Sequence, residues 1–170
     1  MHPPPHPAAL DPEEFLAQCD VTPTRGSGPG GQRRNKVETA VRMVHRPSGI
    51  AVTASERRSS QQNRRVALLR LRVKVALEVR CAAGRPYHPS PMWLRRCGGG
   101  AVSVNPSHDD FPAMLAEALD VIAACTMDVS AASESLSCTS SQLVKLLKLQ
   151  PAALALVNQR RGQQGLHPMH

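Results

Sequence analysis

The sequence predicts an α+β fold, in which a small β-sheet packs against one long helix and a small all-α bundle follows. Residues 37–54 alternate between two sets of side chains on both sides of a Pro-Ser-Gly turn, which is typical of a β-hairpin. Residues 59–81 then run without Gly or Pro for longer than a strand usually does. Residues 111–166 carry apolar residues at helical spacing between tight turns, which indicates short helices in a helix-turn-helix-like arrangement.

The hairpin has two distinct faces. One face of its first strand carries Val37, Thr39, Val41, Met43 and His45. The second strand alternates Ile50, Val52 and Ala54 with Ala51 and Thr53. His45 has no carboxylate or nucleophile beside it in the pattern, so a structural or exposed histidine is favoured over a catalytic one.

Residues 59–81 give two conflicting signals. Apolar residues alternate with charged ones from Leu69 to Val79, and by period alone this favours a strand. On a helix, the same segment forms two roughly opposite apolar stripes: Val66, Leu69, Val73, Ala76 and Leu77, and then Leu68, Leu71, Val75 and Val79. The length of the segment favours a helix, with Ser59 or Ser60 as its cap. We therefore predict a helix whose second stripe needs cover, for which the C-terminal region is the candidate.

The N-terminal part divides into two segments. Residues 1–10 are rich in Pro and His and are predicted to be disordered, whereas residues 11–81 are predicted to form the first domain. Within this domain Asp11 caps a short helix up to Gln18, because Pro12 and two acidic residues follow it. Residues 19–24 are predicted to be a short strand.

The C-terminal half begins with a segment rich in Pro and Gly. Residues 82–110 are predicted to be a linker or irregular strap, with Trp93 and Leu94 as anchors. In the helical module, residues 111–166, Thr139 and Gln142 have the capping-box spacing, and a last helix is expected from Pro151 to Gly162. The predicted core of this module is Leu115, Leu119, Ile122, Leu136, Leu143, Leu146, Leu147, Leu154 and Val157.

The charge of the chain indicates a polyanionic partner. The net charge is +8 and the pI is about 10.0. Residues 25–80 hold fourteen Lys and Arg against three Asp and Glu, so this segment alone carries +11, whereas residues 81–170 carry only +1. Two Phe, one Trp and one Tyr are too few for base stacking, so contacts to phosphates are favoured.

Cysteine use and hydropathy predict a reduced, cytoplasmic protein without a metal. The five cysteines are odd in number and form no Cys-x-x-Cys pair. Cys81, His88, Cys97 and His108 are spaced too irregularly for a zinc site. Neither a membrane span nor a signal or transit peptide is expected, because no apolar run is long enough and residues 1–10 lack Lys and Arg.

The most informative stretch is the loop Arg25-Gly26-Ser27-Gly28-Pro29-Gly30-Gly31-Gln32. Its glycines accept positive φ and allow another backbone to come close, and Arg33, Arg34 and Lys36 follow at once. The loop holds no Ser-His-Asp set, carboxylate pair or metal ligands, and Gln32 cannot act as a general base. Its backbone N–H can stabilise an oxyanion, which is typically worth ~10²–10³ in rate. A loop with this chemistry needs a partner that positions the reactants.

A longer set of motifs accompanies the loop. They are Asn35-Lys36, Thr39-Ala40-Val41, His45 to Ile50, Arg57-Arg58-Ser59 and Gln62-Asn63-Arg64. Together with the loop, they resemble the catalytic domain of class I peptide-chain release factors, and most of all the small homologues that rescue stalled ribosomes. The resemblance covers about residues 19 to 81, and it too implies a helix over residues 59–81.

The resemblance implies hydrolysis of the ester between nascent peptide and tRNA in the peptidyl-transferase centre, without a cofactor. It assigns catalysis to Gly30, Gly31 and Gln32, and it implies N-methylation of the Gln32 amide. Contacts to ribosomal RNA or to the tRNA end fall on Arg25, Ser27, Gly28, Arg33, Arg34, Lys36, Arg57, Arg58, Arg64 and Arg65. The implied partners are the large-subunit RNA and peptidyl-tRNA.

Two departures shape the expected function. Release factors that read stop codons carry further domains, for which 170 residues leave no room, so hydrolysis independent of a codon is expected. Known rescue homologues end in a long basic tail, whereas the C-terminal region here is nearly neutral, and a protein or RNA partner is expected for residues 111–166. The main alternative is an inactive ribosome- or RNA-binding module of the same fold. A DNA-binding helix-turn-helix is disfavoured, because its third helix offers only Lys145 and Lys148.

Overall fold

The computed structural model describes residues 5–24, 39–84 and 86–170. It confirms the predicted α+β fold, with a small antiparallel sheet, one long helix and a series of shorter helices. After a 3-10 turn at Pro7–Ala9, the elements are α1 (Pro12–Ala17), β1 (Cys19–Thr24), β2 (Ala40–His45), β3 (Ala51–Ala54), α2 (Ser60–Glu78), α3 (Pro91–Arg96), β4 (Cys97–Gly98), β5 (Ala101–Val102), α4 (Phe111–Ala124), α5 (Val129–Ser135), α6 (Ser140–Lys148) and α7 (Pro151–Gln163).

The main sheet has the order β1-β2-β3 with antiparallel pairing. β1 and β2 pair from Cys19 opposite His45 to Thr24 opposite Ala40. The predicted turn between β2 and β3 is present, because Gly49 adopts a φ of 71° and its N–H donates to the His45 carbonyl at 2.8 Å. The alternation is visible in the buried residues Val41, Met43, Val52 and Ala54.

His45 has the structural role that the sequence favoured. Its side chain is fully buried, and its ring stacks on that of Phe15 with the centroids 4.8 Å apart. The two ring nitrogens contact Ser48 Oγ at 2.7 Å and Gln18 Oε1 at 3.3 Å. Burial lowers the pKa of His45, so the imidazole is neutral at neutral pH. The residue joins the hairpin turn to the end of α1.

The helix α2 settles the conflict over residues 59–81. It packs against β2 and β3 and also against α4 and the turn Pro7–Ala9. Leu71 and Val75 of the second apolar stripe are fully buried, and α4 supplies cover from the C-terminal region as expected. A helix with neighbours on several sides needs apolar residues at almost every second position. This requirement explains why the apolar residues of this segment alternate with the period of a strand.

The predicted disorder of residues 1–10 is wrong for residues 5–10. Ala8 is fully buried in the turn Pro7–Ala9, which contacts α2 and α4. The buried guanidinium of Arg72 donates to the carbonyls of Ala8 at 3.1 Å and Leu10 at 3.0 Å, and to that of Asp109 at 2.9 Å. The composition of residues 1–10 could not predict this order, because the Arg72 side chain that donates to them lies more than sixty residues later in the chain.

The segment 82–110 contains regular elements that the sequence did not predict. Ser90 caps α3 by accepting from the Trp93 N–H at 3.1 Å, and Glu117 of α4 accepts from the Ser90 N–H and Oγ. Trp93 is the predicted anchor: it is fully buried, and its Nε1–H donates to the Leu136 carbonyl at 2.8 Å. Leu94 is 54% exposed and is not an anchor. The domain boundaries at residues 81 and 111 remain predictions.

The helices α4 to α7 follow the predicted pattern with two corrections. Thr139 Oγ1 caps α6 by accepting from the Gln142 N–H at 3.3 Å, but the Gln142 side chain accepts from the Val102 N–H, so the capping box is only half formed. α7 continues through Gly162, and Gly165 adopts the positive φ after its end. All predicted core residues are buried except Leu154, which is half-buried.

Candidate functional site

The glycine-rich loop connects two neighbouring strands. β1 ends at Thr24 and β2 begins at Ala40, and these two residues are paired. The connection between them therefore leaves and re-enters the sheet at one place. The residues predicted for catalysis and for RNA contact in this connection lie outside the described residues: Arg25, Ser27, Gly28, Gly30, Gly31, Gln32, Arg33, Arg34 and Lys36.

Asn63 holds the point where the connection rejoins the sheet. Its side chain is fully buried in the first turns of α2. Its Nδ2 donates to the Thr39 carbonyl at 2.7 Å and to the Arg57 carbonyl at 3.0 Å, and its Oδ1 accepts from the Arg57 N–H at 2.9 Å. Asn63 belongs to the motif Gln62-Asn63-Arg64, from which the sequence alone predicted no role for it. A usable signal was its helical spacing with Ala67, Leu71 and Val75, which are all fully buried.

The predicted arginines beside this point are exposed. Arg57 and Arg58 precede α2, whereas Arg64 and Arg65 follow Asn63 directly within the helix. In the part of the chain that the structure describes, none of these four has a carboxylate partner. The Lys and Arg ion pairs found there join Arg46 to Asp20, Arg70 to Glu56, Lys74 to Glu78, Arg80 to Asp120, and Arg96 to Asp110. The arginines near the loop are thus left free for a phosphate partner.

Two further features favour anions at this end of α2. The helix begins at Ser60, and the side chain of Ser59 does not cap it, so N–H groups of the first turn remain available. Glu56, the acid that precedes α2, pairs with Arg70, and this hydrogen bond lowers the pKa of its carboxyl group. Its negative charge is therefore already compensated. Among the described residues near Thr39, the surface therefore presents helix N–H groups and arginines without an opposing free acid.

A different cluster brings together three residue types that bind metals. Donor atoms of His6, Cys81 and Asp120 lie within 4.8 Å of one another beside the C-terminus of α2. His6 Nδ1 accepts from the Ala8 N–H at 3.0 Å, so the imidazole proton must sit on Nε2, which lies 3.1 Å from the Val79 carbonyl. Neither nitrogen then offers a lone pair to a metal. Of the residues considered as zinc ligands from the sequence, only Cys81 belongs to this cluster.

The cluster instead attaches residues 5–10 to the helices. Asp120 Oδ1 accepts from Arg80 at 2.9 Å and from the Cys81 N–H at 3.1 Å. Burial raises the pKa of Asp120 to about 6, and burial lowers the pKa of His6 to about 4.

Within the described residues, no helix is both long and apolar enough to cross a membrane.

We expect the stability that His6 contributes to be lost in acid. Because its pKa of about 4 lies below the ordinary 6.5, the contribution is fully present above pH 6.5 and is lost as the pH falls through 4. The loss amounts to about 3 kcal/mol. Asp120 titrates in the opposite sense, so the quantity to measure is the difference in free energy of unfolding between the protein and His6→Ala. Denaturant titrations at pH 7 and pH 4 should show this difference shrinking. A constant difference would contradict a buried, neutral His6.

Known proteins match a segment in the N-terminal part of the chain. Residues 16–86 match the RF-1 domain family. A chloroplastic peptide chain release factor, PrfB1 of Arabidopsis thaliana, is 52% identical over 64 residues, which is 38% of this chain and 13% of the relative. Peptide chain release factor 1 of Streptococcus thermophilus is 58% identical over 67 residues, covering 39% and 18%. That of Acidiphilium cryptum is 42% identical over 74 residues, covering 44% and 21%.

The chain spans about a fifth or less of the length of these relatives. The matched segment contains the sheet, the glycine-rich connection and all of α2. It also contains the motifs on which the resemblance was based, and it extends that resemblance by a few residues on each side. Residues 16–86 are thus similar to the RF-1 domain, and the relatives that share this segment are peptide chain release factors.

Proposed function

We propose that this protein hydrolyses the ester of peptidyl-tRNA on the ribosome without reading a codon, and so releases nascent peptides from stalled ribosomes. The observation that carries the proposal is Gly30-Gly31-Gln32 within a segment that matches the RF-1 domain family. The partners are the large-subunit RNA and peptidyl-tRNA, and the location is the cytoplasm.

The chemistry of the loop defines the reaction. Water attacks the ester carbonyl carbon, and the bond between this carbon and the ribose oxygen breaks. A proton from the water passes to the ribose oxygen, which leaves as a hydroxyl group, and the peptide leaves with a free carboxyl group. The Gln32 backbone N–H donates to the developing oxyanion, and the side-chain amide orients the water or the leaving group. Gly30 and Gly31 allow the tRNA end to come close. Because no group in the loop is a general base, the ribosome must position the water and the ester.

The basic residues supply the binding. Arg57, Arg58, Arg64 and Arg65 are exposed beside the N-terminus of α2 and have no carboxylate partner among the described residues, which suits phosphate contact. The same role is proposed for the residues of the connection, namely Arg25, Ser27, Gly28, Arg33, Arg34 and Lys36. Together these contacts would hold the loop against RNA and make binding weaken at high salt.

Independence from a codon is supported by the way the described residues outside 16–86 pack. They form helices and the two-residue strands β4 and β5, and α4 of this group packs against α2 in the same core. These elements therefore pack onto the segment that contains the glycine-rich connection. Their own surface is nearly neutral, so recruitment to stalled ribosomes is assigned first to the arginines beside the loop.

The proposal is tested by peptide release from defined ribosomal complexes. We expect release from ribosomes stalled on truncated mRNA, at a rate that a stop codon does not raise, and release from free peptidyl-tRNA that is slower by about 100-fold or more. Equal rates on free and ribosome-bound substrate would contradict the mechanism. Release only at a stop codon would contradict codon independence, and binding without release would favour an inactive module.

A further inference from the structure

Asn63 is the polar side chain that joins the glycine-rich connection to the exposed arginines. It is fully buried, and its amide makes three hydrogen bonds to two backbone segments, at Thr39 and Arg57. We infer that Asn63 is a positioning residue for the reaction of Gly30-Gly31-Gln32, acting through the backbone that carries the loop. The inference rests on the proposed function.

Thr39 lies at the point where the connection reaches β2. This residue precedes Ala40, which begins β2 and pairs with Thr24 at the end of β1. The Thr39 carbonyl is therefore the last backbone acceptor before the chain enters the sheet. The 2.7 Å hydrogen bond from Asn63 Nδ2 attaches this carbonyl to α2. The helix thus fixes one end of the connection that contains the candidate catalytic residues.

The backbone of Arg57 is the second segment that Asn63 contacts. Asn63 accepts from the Arg57 N–H and donates to the Arg57 carbonyl, so it holds both backbone groups of one residue. Arg57 and Arg58 are exposed on this segment, and Arg64 and Arg65 follow Asn63 on the helix. A single amide therefore links the segment of Arg57 and Arg58 to Thr39, the residue at which the connection reaches β2. The partners also fix the orientation of the amide, because Oδ1 meets an N–H and Nδ2 meets two carbonyls.

Asparagine is the side chain that fits these three partners. Aspartate has the same size and can accept from the Arg57 N–H, but it has no N–H for the carbonyls of Thr39 and Arg57. Alanine removes all three hydrogen bonds, each of which is partly buried. A small displacement of a catalytic loop is costly, because misplacement by about 1 Å can lower a rate by about 100-fold. The loss is expected in the chemical step more than in binding.

The test compares Asn63→Asp and Asn63→Ala with two controls in the full-length protein. Gln62→Ala changes the exposed neighbour on the same helical turn. Val157→Ala weakens the buried core at α7, away from the loop, and so controls for a loss of stability. The measurements are the rate of release at saturating protein, the half-saturating concentration on stalled ribosomes, and the hydrogen exchange rate of the Arg57 amide.

We expect both Asn63 variants to lower the saturated release rate by about 100-fold, with a smaller change in half-saturating concentration and faster exchange at Arg57. Both controls should keep the original release rate. Release by Asn63→Asp at the original rate would overturn the inference, as would an equal loss in Val157→Ala. If the unmodified protein itself does not release peptide, the proposed function fails, and the inference with it. In contrast, an active protein with active Asn63 variants removes only the inference.

Discussion

Gly31→Ala is expected to abolish peptide release while leaving binding to the ribosome nearly unchanged. The added methyl group restricts φ and occupies the space through which the tRNA end must approach the loop. The rate of release should fall by about 100-fold or more. Binding should persist, because the exposed arginines at residues 57, 58, 64 and 65 are untouched. Single-turnover release and co-sedimentation with stalled ribosomes measure the two quantities separately.

The matched comparison is Gln32→Ala. This variant keeps the backbone N–H and removes only the side-chain amide, so it should lower the rate less than Gly31→Ala if the N–H provides most of the oxyanion stabilisation. Release by Gly31→Ala at nearly the original rate would remove the loop from the mechanism. Intact-mass measurement shows whether the Gln32 amide carries the proposed methyl group.

Deletion of residues 107–170 is expected to give an insoluble protein. The deletion removes α4, which packs against α2, and the Leu136 carbonyl, to which Trp93 donates. Trp93 is fully buried in the intact protein and would lose both this acceptor and its cover. Arg80 would also lose its ion pair with Asp120. Sedimentation and binding of a hydrophobic dye measure the outcome.

A shorter deletion provides the control. Removing residues 164–170 deletes the hydrogen bonds between Asn158 and Met169 but leaves α4 to α7 in place, so this variant should remain soluble. A soluble, monomeric product of the long deletion, with α2 still helical, would show that the C-terminal helices are not structural cover. In that case, the predicted role of residues 111–166 in docking a protein or RNA partner would become the leading explanation.

Local signals in the sequence determined much of this protein. The hairpin with Gly49 at positive φ, the cap at Asp11 and the cap at Thr139 each depend on residues within a few positions of one another, and each was predicted. The charge concentrated in residues 25–80 and the string of motifs from Arg25 to Arg64 likewise needed no structure. They predicted the resemblance to release factors, and residues 16–86 indeed match the RF-1 domain.

Contacts between distant segments were decided only by the tertiary structure. The alternation in residues 59–81 has the period of a strand, and it became a helix with neighbours on several sides because the sheet, α4 and residues 7–9 cover it. Order in residues 5–10 depends on Arg72, and α3 depends on Glu117 and on the acceptor for Trp93. The role of Asn63 depends on Thr39, which lies 24 residues earlier. Pattern and propensity describe neighbours along the chain, whereas a buried hydrogen bond is satisfied by whichever group the fold brings within reach.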